Sequence, residues 1–124
     1  MPERILVIED DEKSRRLLAD VLGHHGFVMD VVETGEAGIE HARETCPDAV
    51  LLDIQLPGVN GFEVLPILRR EMKRPVPVVA VTASVMDHDR RRITTAGFDA
   101  YVPKPVNMRE LLAILRNLLR KEAP

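Results

Sequence analysis

The sequence contains a single cysteine, Cys46, so no disulfide bond can form within the chain. A lone cysteine also lacks the companion thiolates of a structural zinc site, and we interpret Cys46 as a helix-end residue. Because proteins without disulfides are typical of reducing compartments, we expect a cytoplasmic protein.

Long hydrophobic runs are also missing. No apolar segment approaches the roughly 20 residues of a membrane-spanning helix, and the start, Met-Pro-Glu-Arg, does not resemble an export signal. We therefore expect no membrane association.

Positive charge is not in excess, since the net charge is −3. The arginine runs at 15–16, 69–70 and 90–92 therefore do not belong to a basic, nucleic-acid-binding domain. We interpret them as solvated helix faces, and the 90–92 run is also a candidate partner surface.

What the sequence does contain is an alternation of two patterns. Five short apolar runs, rich in β-branched residues, are each followed by a segment with helical spacing. The runs are Ile5–Ile8, Met29–Val32, Ala49–Leu52, Val78–Val81 and Ala100–Val102. At 124 residues the chain fits one domain, so we expect residues 1–124 to fold as a single α/β unit. This alternation predicts a doubly wound, five-stranded parallel sheet with helices on both faces.

The helical segments carry start and stop signals. Thr34 and Asn107 are predicted N-caps of the second and fifth helices, and the third helix opens at Gly61. Pro66 lies inside that third helix, where proline is tolerated only in the first turn or at a kink. The first helix is predicted to stop near Gly26 and to bury Leu17, Leu18, Val21 and Leu22.

Polar residues follow four of the predicted strands. They are Glu9, Asp10 and Asp11 after the first strand, Asp53 after the third, Thr82 and Ser84 after the fourth, and Lys104 after the fifth. Because ligands of such sheets bind at the carboxyl ends of the strands, we expect these groups to converge on one edge.

The chemistry of this edge is restricted by its ligand types. Crowded carboxylates must be paired, protonated or bridged by a metal, and an all-oxygen cluster suits Mg²⁺, which points to phosphoryl chemistry. The glycine-rich phosphate loops GxGxxG and GxxxxGK[ST] follow none of the predicted strands. The remaining route is covalent, through an aspartyl phosphate whose oxygens Mg²⁺ and a lysine neutralise. Asp53 is the predicted nucleophile, because it ends a buried strand and precedes a Pro- and Gly-containing loop.

Five motifs at compatible spacings resemble the receiver domain of bacterial two-component response regulators, especially the stand-alone regulators of chemotaxis and cell division. They are "ILVIEDD", "DAVLLDIQLPGVNGFEVL", "VPVVAVTAS", "AGFDAYVPKP" and the last helix, and they cover nearly the whole chain. The resemblance implies a flavodoxin-like sheet with strand order 2-1-3-4-5. It also implies a signalling module rather than an enzyme, one that catalyses only its own phosphorylation and dephosphorylation.

The resemblance implies partners and site roles as well. The phosphoryl donor is a sensor histidine kinase or a histidine phosphotransfer protein, and the output is a downstream protein target, without direct nucleic acid binding. Asp53 accepts the phosphoryl group, Thr82 hydrogen-bonds it, and Lys104 pairs with it. Thr82 and Tyr101 form the switch, and the Lys104–Pro105 peptide bond is usually cis.

The residue two positions beyond Asp53 has a double role in this resemblance. The backbone carbonyl of Gln55 is a metal ligand together with Asp53, while the side chains of Gln55 and Ser84 flank the path of attacking water. Since neither side chain is an obvious general base, we expect slow to intermediate hydrolysis of the phosphoryl group.

The acidic run "IEDDE" leaves two candidate metal-binding pairs, Glu9 with Asp10 or Asp10 with Asp11. Counting back without gaps from "RRLLADVLGHHGF" places the family's pair on Glu9 and Asp10. Asp10 is then the direct Mg²⁺ ligand and Glu9 acts through water. Asp11 and Glu12 fall at the start of the first helix, where the helix dipole favours acids.

Other functions remain open at this point. A haloacid-dehalogenase-like, Mg²⁺-dependent phosphatase also uses an aspartyl phosphate, but its DxDx[TV] pattern needs an acid where this chain has Gln55. A receiver fold that is never phosphorylated is a third possibility. The chain ends about where its fifth helix should, so we expect a stand-alone regulator if this is the whole product and an excised receiver otherwise. Taken singly, Lys104 could be an ordinary surface lysine and Tyr101 an ordinary half-buried side chain.

Overall fold

The computed structural model describes residues 2–83 and 87–121, in which five strands alternate with five helices. The strands are β1 (Arg4–Ile8), β2 (Val28–Val32), β3 (Ala49–Asp53), β4 (Val78–Thr82) and β5 (Ala100–Pro103). The helices are α1 (Glu12–His24), α2 (Gly35–Thr45), α3 (Gly61–Glu71), α4 (Asp87–Ala96) and α5 (Met108–Lys121).

The strands form one parallel sheet in the order β2-β1-β3-β4-β5, which confirms the predicted fold class and strand order. The order reverses between β1 and β3, so the loops after these two strands leave a crevice at the carboxyl edge. Ile8 pairs with both Val32 and Leu52, and Asp53 pairs with Val81. The ends of β1, β3 and β4 are therefore nearly level.

The core lies on both faces of the sheet because successive strand residues point to opposite sides. Leu6 and Ile8 of β1 pack on the side covered by α2, α3 and α4. Ile5 and Val7 pack on the side covered by α1 and α5. All five residues of β3 are buried, so its last residue, Asp53, is held by a rigid central strand.

The helix ends follow the sequence signals closely. The side-chain oxygens of Thr34 and Asn107 accept hydrogen bonds from the backbone N–H three residues on, at 3.1 Å each, which confirms both N-caps. Cys46 ends α2 in the left-handed region, with φ 45°, as a helix-end residue. No described helix has the length and apolar character needed to cross a membrane.

The structure corrects the expectations for Leu17 and Arg69. Leu17 is 50% exposed rather than inward, because Leu18 and Leu22 alone of α1 are fully buried against the sheet. Arg69 is not a solvated residue, since its guanidinium donates to the backbone oxygens of Val76 (2.5 Å) and Gly97 (2.7 Å). The helix α3 includes Pro66 beyond its first turn, on the exposed side, which leaves the kink as the open alternative of the two expected positions.

We predict that Gly61→Ala destabilises the protein by about 1–3 kcal/mol, because the added methyl group clashes with backbone atoms, whose displacement costs free energy. A Cβ at Gly61 would lie 2.6 Å from Ile54 Cα and 2.9 Å from the Asp53 carbonyl oxygen. Urea unfolding followed by circular dichroism measures the change.

Gly23→Ala is the matched control. Its Cβ would have Met29 Cγ as nearest neighbour at 3.9 Å, and alanine is the better helix former by roughly 0.5–1 kcal/mol. Equal unfolding midpoints for the two variants would contradict the steric account of Gly61.

Candidate functional site

The carboxyl edge of the sheet brings together the groups that the sequence predicted there. Asp53 and Thr82 are the last residues of β3 and β4, and Glu9 follows β1 directly. All three are only 2% exposed, although their side chains are polar. Lys104 reaches them from the loop after β5. The site is therefore assembled from the ends of four strands.

Lys104 is the cation at the centre of this site. Its Nζ atom lies 2.6 Å from Glu9 Oε1 and 3.1 Å from Asp53 Oδ2. Burial on its own lowers the pKa of Lys104, but the hydrogen bonds and charges of Glu9 and Asp53 outweigh it and raise the pKa above its ordinary value. The ammonium group therefore stays charged and links β5 to β1 and β3.

Glu9 is the least satisfied group of the site. Its burial, followed by its hydrogen bond with Asp53, raises the pKa of Glu9 to about 7, against the lowering effect of Lys104. Among the described residues, its second oxygen, Oε2, has no hydrogen-bond partner and is buried. A buried carboxylate in this state needs a proton or a further cation.

Asp53, in contrast, has a partner at each carboxylate oxygen. Oδ1 accepts a hydrogen bond from the backbone N–H of Gln55 at 2.9 Å, and Oδ2 contacts Lys104. These two bonds fix the orientation of the carboxylate at the end of its strand.

A divalent metal ion fits the acidic part of the site. Carboxylate oxygens of Glu9, Asp10 and Asp53 lie within 4.8 Å of one another, and Asp10 is exposed. Oxygen ligands with one side open to water suit Mg²⁺, which keeps several of its waters. The unpartnered, buried Oε2 of Glu9 fits the same requirement, because a nearby cation or its water would satisfy it.

Asp11 lies outside this group and has a different role. Its Oδ2 accepts hydrogen bonds from the backbone N–H and the hydroxyl of Ser14, both at 2.9 Å, and so caps α1. These bonds lower the pKa of Asp11. Asp11 therefore begins the helix, as expected, while the assignment of Glu9 and Asp10 as metal ligands stays a prediction.

Arg15 is a site residue that the sequence reasoning missed. Its guanidinium donates to the backbone oxygens of Glu9 (3.0 Å) and Asp10 (2.8 Å), and its side chain is 14% exposed. It therefore fixes the acidic loop instead of lying on a solvated face. Nothing in the sequence signals this, because its targets are backbone oxygens rather than a recognisable side-chain pattern.

The predicted switch and tuning residues lie around this centre. Tyr101 is half-buried in β5, packs against the core on the α3 and α4 side, and has the Arg90 guanidinium 5.8 Å from its ring centroid. The Gln55 side chain is exposed beside Asp53, and Ser84 lies outside the described residues. The Lys104–Pro105 bond is cis, as the resemblance implied. The roles assigned to Tyr101, Gln55 and Ser84 stay predictions.

Comparison with known proteins gives a family. A model described as the response regulator receiver domain matches residues 5–116 of this chain. The polar-differentiation response regulator DivK of Brucella anthropi is 35% identical over 120 residues, which cover 96% of this chain and 98% of that protein.

Other relatives are longer or carry a metal. The phosphate regulon transcriptional regulatory protein PhoB of Klebsiella pneumoniae is 37% identical over the full chain, but the chain spans only 55% of that protein. The receiver domain of the sensor histidine kinase PA1611 from Pseudomonas aeruginosa superposes with a TM-score of 0.86 at 28% identity, covering 96% of this chain and 98% of that one. That structure has a magnesium ion coordinated in its active site cleft.

We predict that Asp10→Ala weakens Mg²⁺ binding by more than about tenfold, because it removes the accessible carboxylate of the acidic group. Glu9→Ala should weaken binding less, since we expect Glu9 to act through water. Isothermal titration of the metal-free protein measures both affinities.

Asp11→Ala is the control for the register of this acidic run. It removes the cap of α1, which lowers the unfolding midpoint slightly, and leaves the Mg²⁺ affinity within about threefold of wild type. If Asp11→Ala lost Mg²⁺ while Asp10→Ala retained it, the assigned register would be wrong by one residue.

Proposed function

This chain belongs to the response regulator receiver domain family, and on that basis we propose that phosphorylation of Asp53 switches it between two signalling states. Receiver domains are signalling modules of two-component systems rather than ordinary enzymes. The donor we propose is a phosphohistidine on a sensor histidine kinase or on a histidine phosphotransfer protein of a phosphorelay. The observation that carries the proposal is the buried Asp53 carboxylate, held between Lys104 and the backbone of Gln55.

The proposed reaction is displacement at phosphorus. The Asp53 carboxylate attacks, the bond between phosphorus and the imidazole nitrogen breaks, and the electron pair leaves with the imidazole. Lys104, 3.1 Å from Asp53 Oδ2, is placed to pair with an oxygen of the phosphoryl group. The Thr82 hydroxyl, at the end of the neighbouring strand, is placed to donate to another.

Mg²⁺ supplies positive charge that neutralises the phosphoryl oxygens during transfer. Asp10, Asp53 and the Gln55 carbonyl would hold the ion, with Glu9 acting through water. The proximity of the three carboxylates supports this assignment. So does the buried Glu9 Oε2, which has no protein partner in the described part of the chain.

The response to phosphorylation is proposed to run through Thr82 and Tyr101 to a downstream protein target. Tyr101 is half-buried in β5, and we expect its ring to turn further inward when Thr82 moves. Gln55 is not a general base, so we expect the aspartyl phosphate to hydrolyse slowly or at an intermediate rate. The lone cysteine and the proposed kinase partner support a cytoplasmic location.

The two alternatives have less support. A haloacid-dehalogenase-like phosphatase needs a second acid two residues beyond its nucleophile, and this chain has Gln55 there. A receiver fold that is never phosphorylated does not require Asp53, Thr82 and Lys104 to meet at one edge.

We predict that Asp53→Asn abolishes phosphorylation by acetyl phosphate and Mg²⁺ while the fold survives, because the amide keeps the shape of the side chain but is not a nucleophile. Phosphate-affinity gels measure the labelling, and circular dichroism checks the fold. Labelling of the Asp53→Asn variant at another residue would disprove the assignment, and absence of labelling in the wild type would favour the unphosphorylated binding module.

We propose that the phosphohistidine partner docks on a groove beside Lys104. It has a volume of about 120 Å³ and a mainly apolar lining that includes Leu17, Leu18, Pro105 and Val106. Glu9 and Lys104 also line it, so a partner seated there lies next to the phosphoacceptor. Half-exposed Leu17, which the sequence reasoning placed in the core, is the natural contact for an apolar partner surface.

We predict that Leu17→Ser slows phosphoryl transfer from the partner by about tenfold, because it removes apolar contact area from the docking groove. Labelling by acetyl phosphate should be unchanged, because that donor needs no docking surface. Val31→Ser changes the other large exposed hydrophobic side chain of the described residues, which lies on the edge strand β2 and does not line the groove, and serves as the control. Equal slowing by both variants would show that Leu17 is not a specific docking contact.

A further inference from the structure

The two edges of the sheet, β2 and β5, differ in their protection against further strands. β5 has four residues and ends in Pro103, which has no backbone N–H to offer. β2 has five residues and contains neither proline nor lysine, the residues that commonly block an edge strand. Its one charged residue is Asp30. The β2 edge is therefore the one on which another strand can pair.

The backbone groups of β2 that face outward follow from those that face β1. The Val28 N–H donates to the Glu3 carbonyl oxygen at 2.9 Å, on the side of β1. Successive residues of a strand direct their backbone groups to alternate sides, so every second residue from Val28 onward faces β1. Met29 and Val31 therefore direct their N–H and C=O groups away from the sheet.

Val31 also leaves apolar surface exposed at this edge. It is 42% exposed and is one of the two large exposed hydrophobic residues in the described part of the chain. Its pairing partner in β1, Val7, belongs to the core on the α1 and α5 side, so Val31 points to that side as well. Met29 points the same way and packs against that core. The two residues lie symmetrically on either side of Asp30.

We propose that β2 pairs antiparallel with β2 of a second copy of this chain, around a two-fold axis at Asp30. In this register Met29 of each copy lies opposite Val31 of the other, and their outward N–H and C=O groups exchange hydrogen bonds in pairs. The Met29 side chain of each copy covers the exposed Val31 of the other. The interface closes on itself as a symmetric dimer, whereas pairing of β2 with β5 would give an open chain of copies.

The same register places the two Asp30 side chains opposite each other, where like charges are unfavourable. Each Asp30 is compensated within its own copy. Arg4 Nη1 lies 3.3 Å from Asp30 Oδ2, and His41 Nε2 lies 3.2 Å from the same oxygen. The Arg4 guanidinium is always charged, so it offsets the Asp30 carboxylate at any working pH. The dimer therefore depends on Arg4 as well as on the edge strand.

Sedimentation velocity tests the proposal over protein concentrations from about 1 µM to about 1 mM, the range of weak association. We expect an equilibrium between monomer and dimer. Val31→Pro removes an outward N–H that the pairing with β1 does not use, so it should weaken dimerisation by about hundredfold. Val31→Thr keeps this N–H and a strand-forming side chain, so its dimerisation should stay within about fivefold of wild type. Circular dichroism, together with labelling of Asp53 by acetyl phosphate, checks that the proline variant is folded.

Arg4→Gln tests the charge requirement without any change in β2. It leaves the two Asp30 carboxylates less compensated, so it should weaken dimerisation by about tenfold at low salt. Adding Asp30→Asn to the same chain should restore dimerisation to within about threefold of wild type, because the repulsion is then gone. A loss caused only by damage to the fold would not be restored by this second change.

Two results would overturn the proposal. A wild type that stays monomeric over the whole concentration range would leave the β2 edge to an extended segment of another protein. A dimer that Val31→Pro leaves intact would show that the copies associate through a different face. Neither result bears on the phosphorylation of Asp53, which the labelling experiment measures separately.

Discussion

The contact of the Lys104 ammonium with Glu9 and Asp53 is the interaction on which the site depends. Two buried carboxylates near one another are unfavourable, and each disfavours ionisation of the other. One ammonium 2.6 Å and 3.1 Å from them lets both lie at the end of a buried strand. It does not satisfy them completely, as the raised pKa of Glu9 and the unpartnered Oε2 show. The negative charge of the carboxylates that Lys104 does not neutralise makes the site suitable for a divalent cation.

The strand order puts these groups in one place. Because β1 and β3 are neighbours and the order reverses between them, the acidic loop after β1 lies beside Asp53. Lys104 is 95 residues from Glu9 and 51 from Asp53, so no local pattern could join them. Only the crossover topology does. Arg15 then fixes the acidic loop from α1 by holding its backbone oxygens.

The sequence allowed most of this to be predicted, and the failures have physical causes. Alternating apolar runs identified every strand, and polar residues after those runs identified Glu9, Asp53, Thr82 and Lys104, because strand ends and ligand sites coincide in parallel sheets. Leu17 was misplaced because helical spacing identifies the apolar face of a helix but does not show which residues at the border of that face are buried. Arg15 and Arg69 were misjudged because their partners include backbone oxygens from other parts of the chain. Such partners are determined by tertiary structure and leave no spacing signal in the chain.

The proposed unphosphorylated and phosphorylated states differ in the net charge of the site. With Glu9, Asp10 and Asp53 ionised and Lys104 protonated, the site carries two net negative charges, which one divalent cation neutralises. Phosphorylation replaces the single charge of the Asp53 carboxylate with the nearly double charge of a phosphoryl group and extends it outward from the strand end. The Lys104 ammonium would then interact with both Glu9 and the more strongly charged phosphoryl group. Its contact with Glu9 would therefore weaken. Lys104 lies in the loop that directly follows β5, the strand that contains Tyr101. On the proposed switch, a shift of that ammonium would therefore reach the surface where a downstream protein would bind.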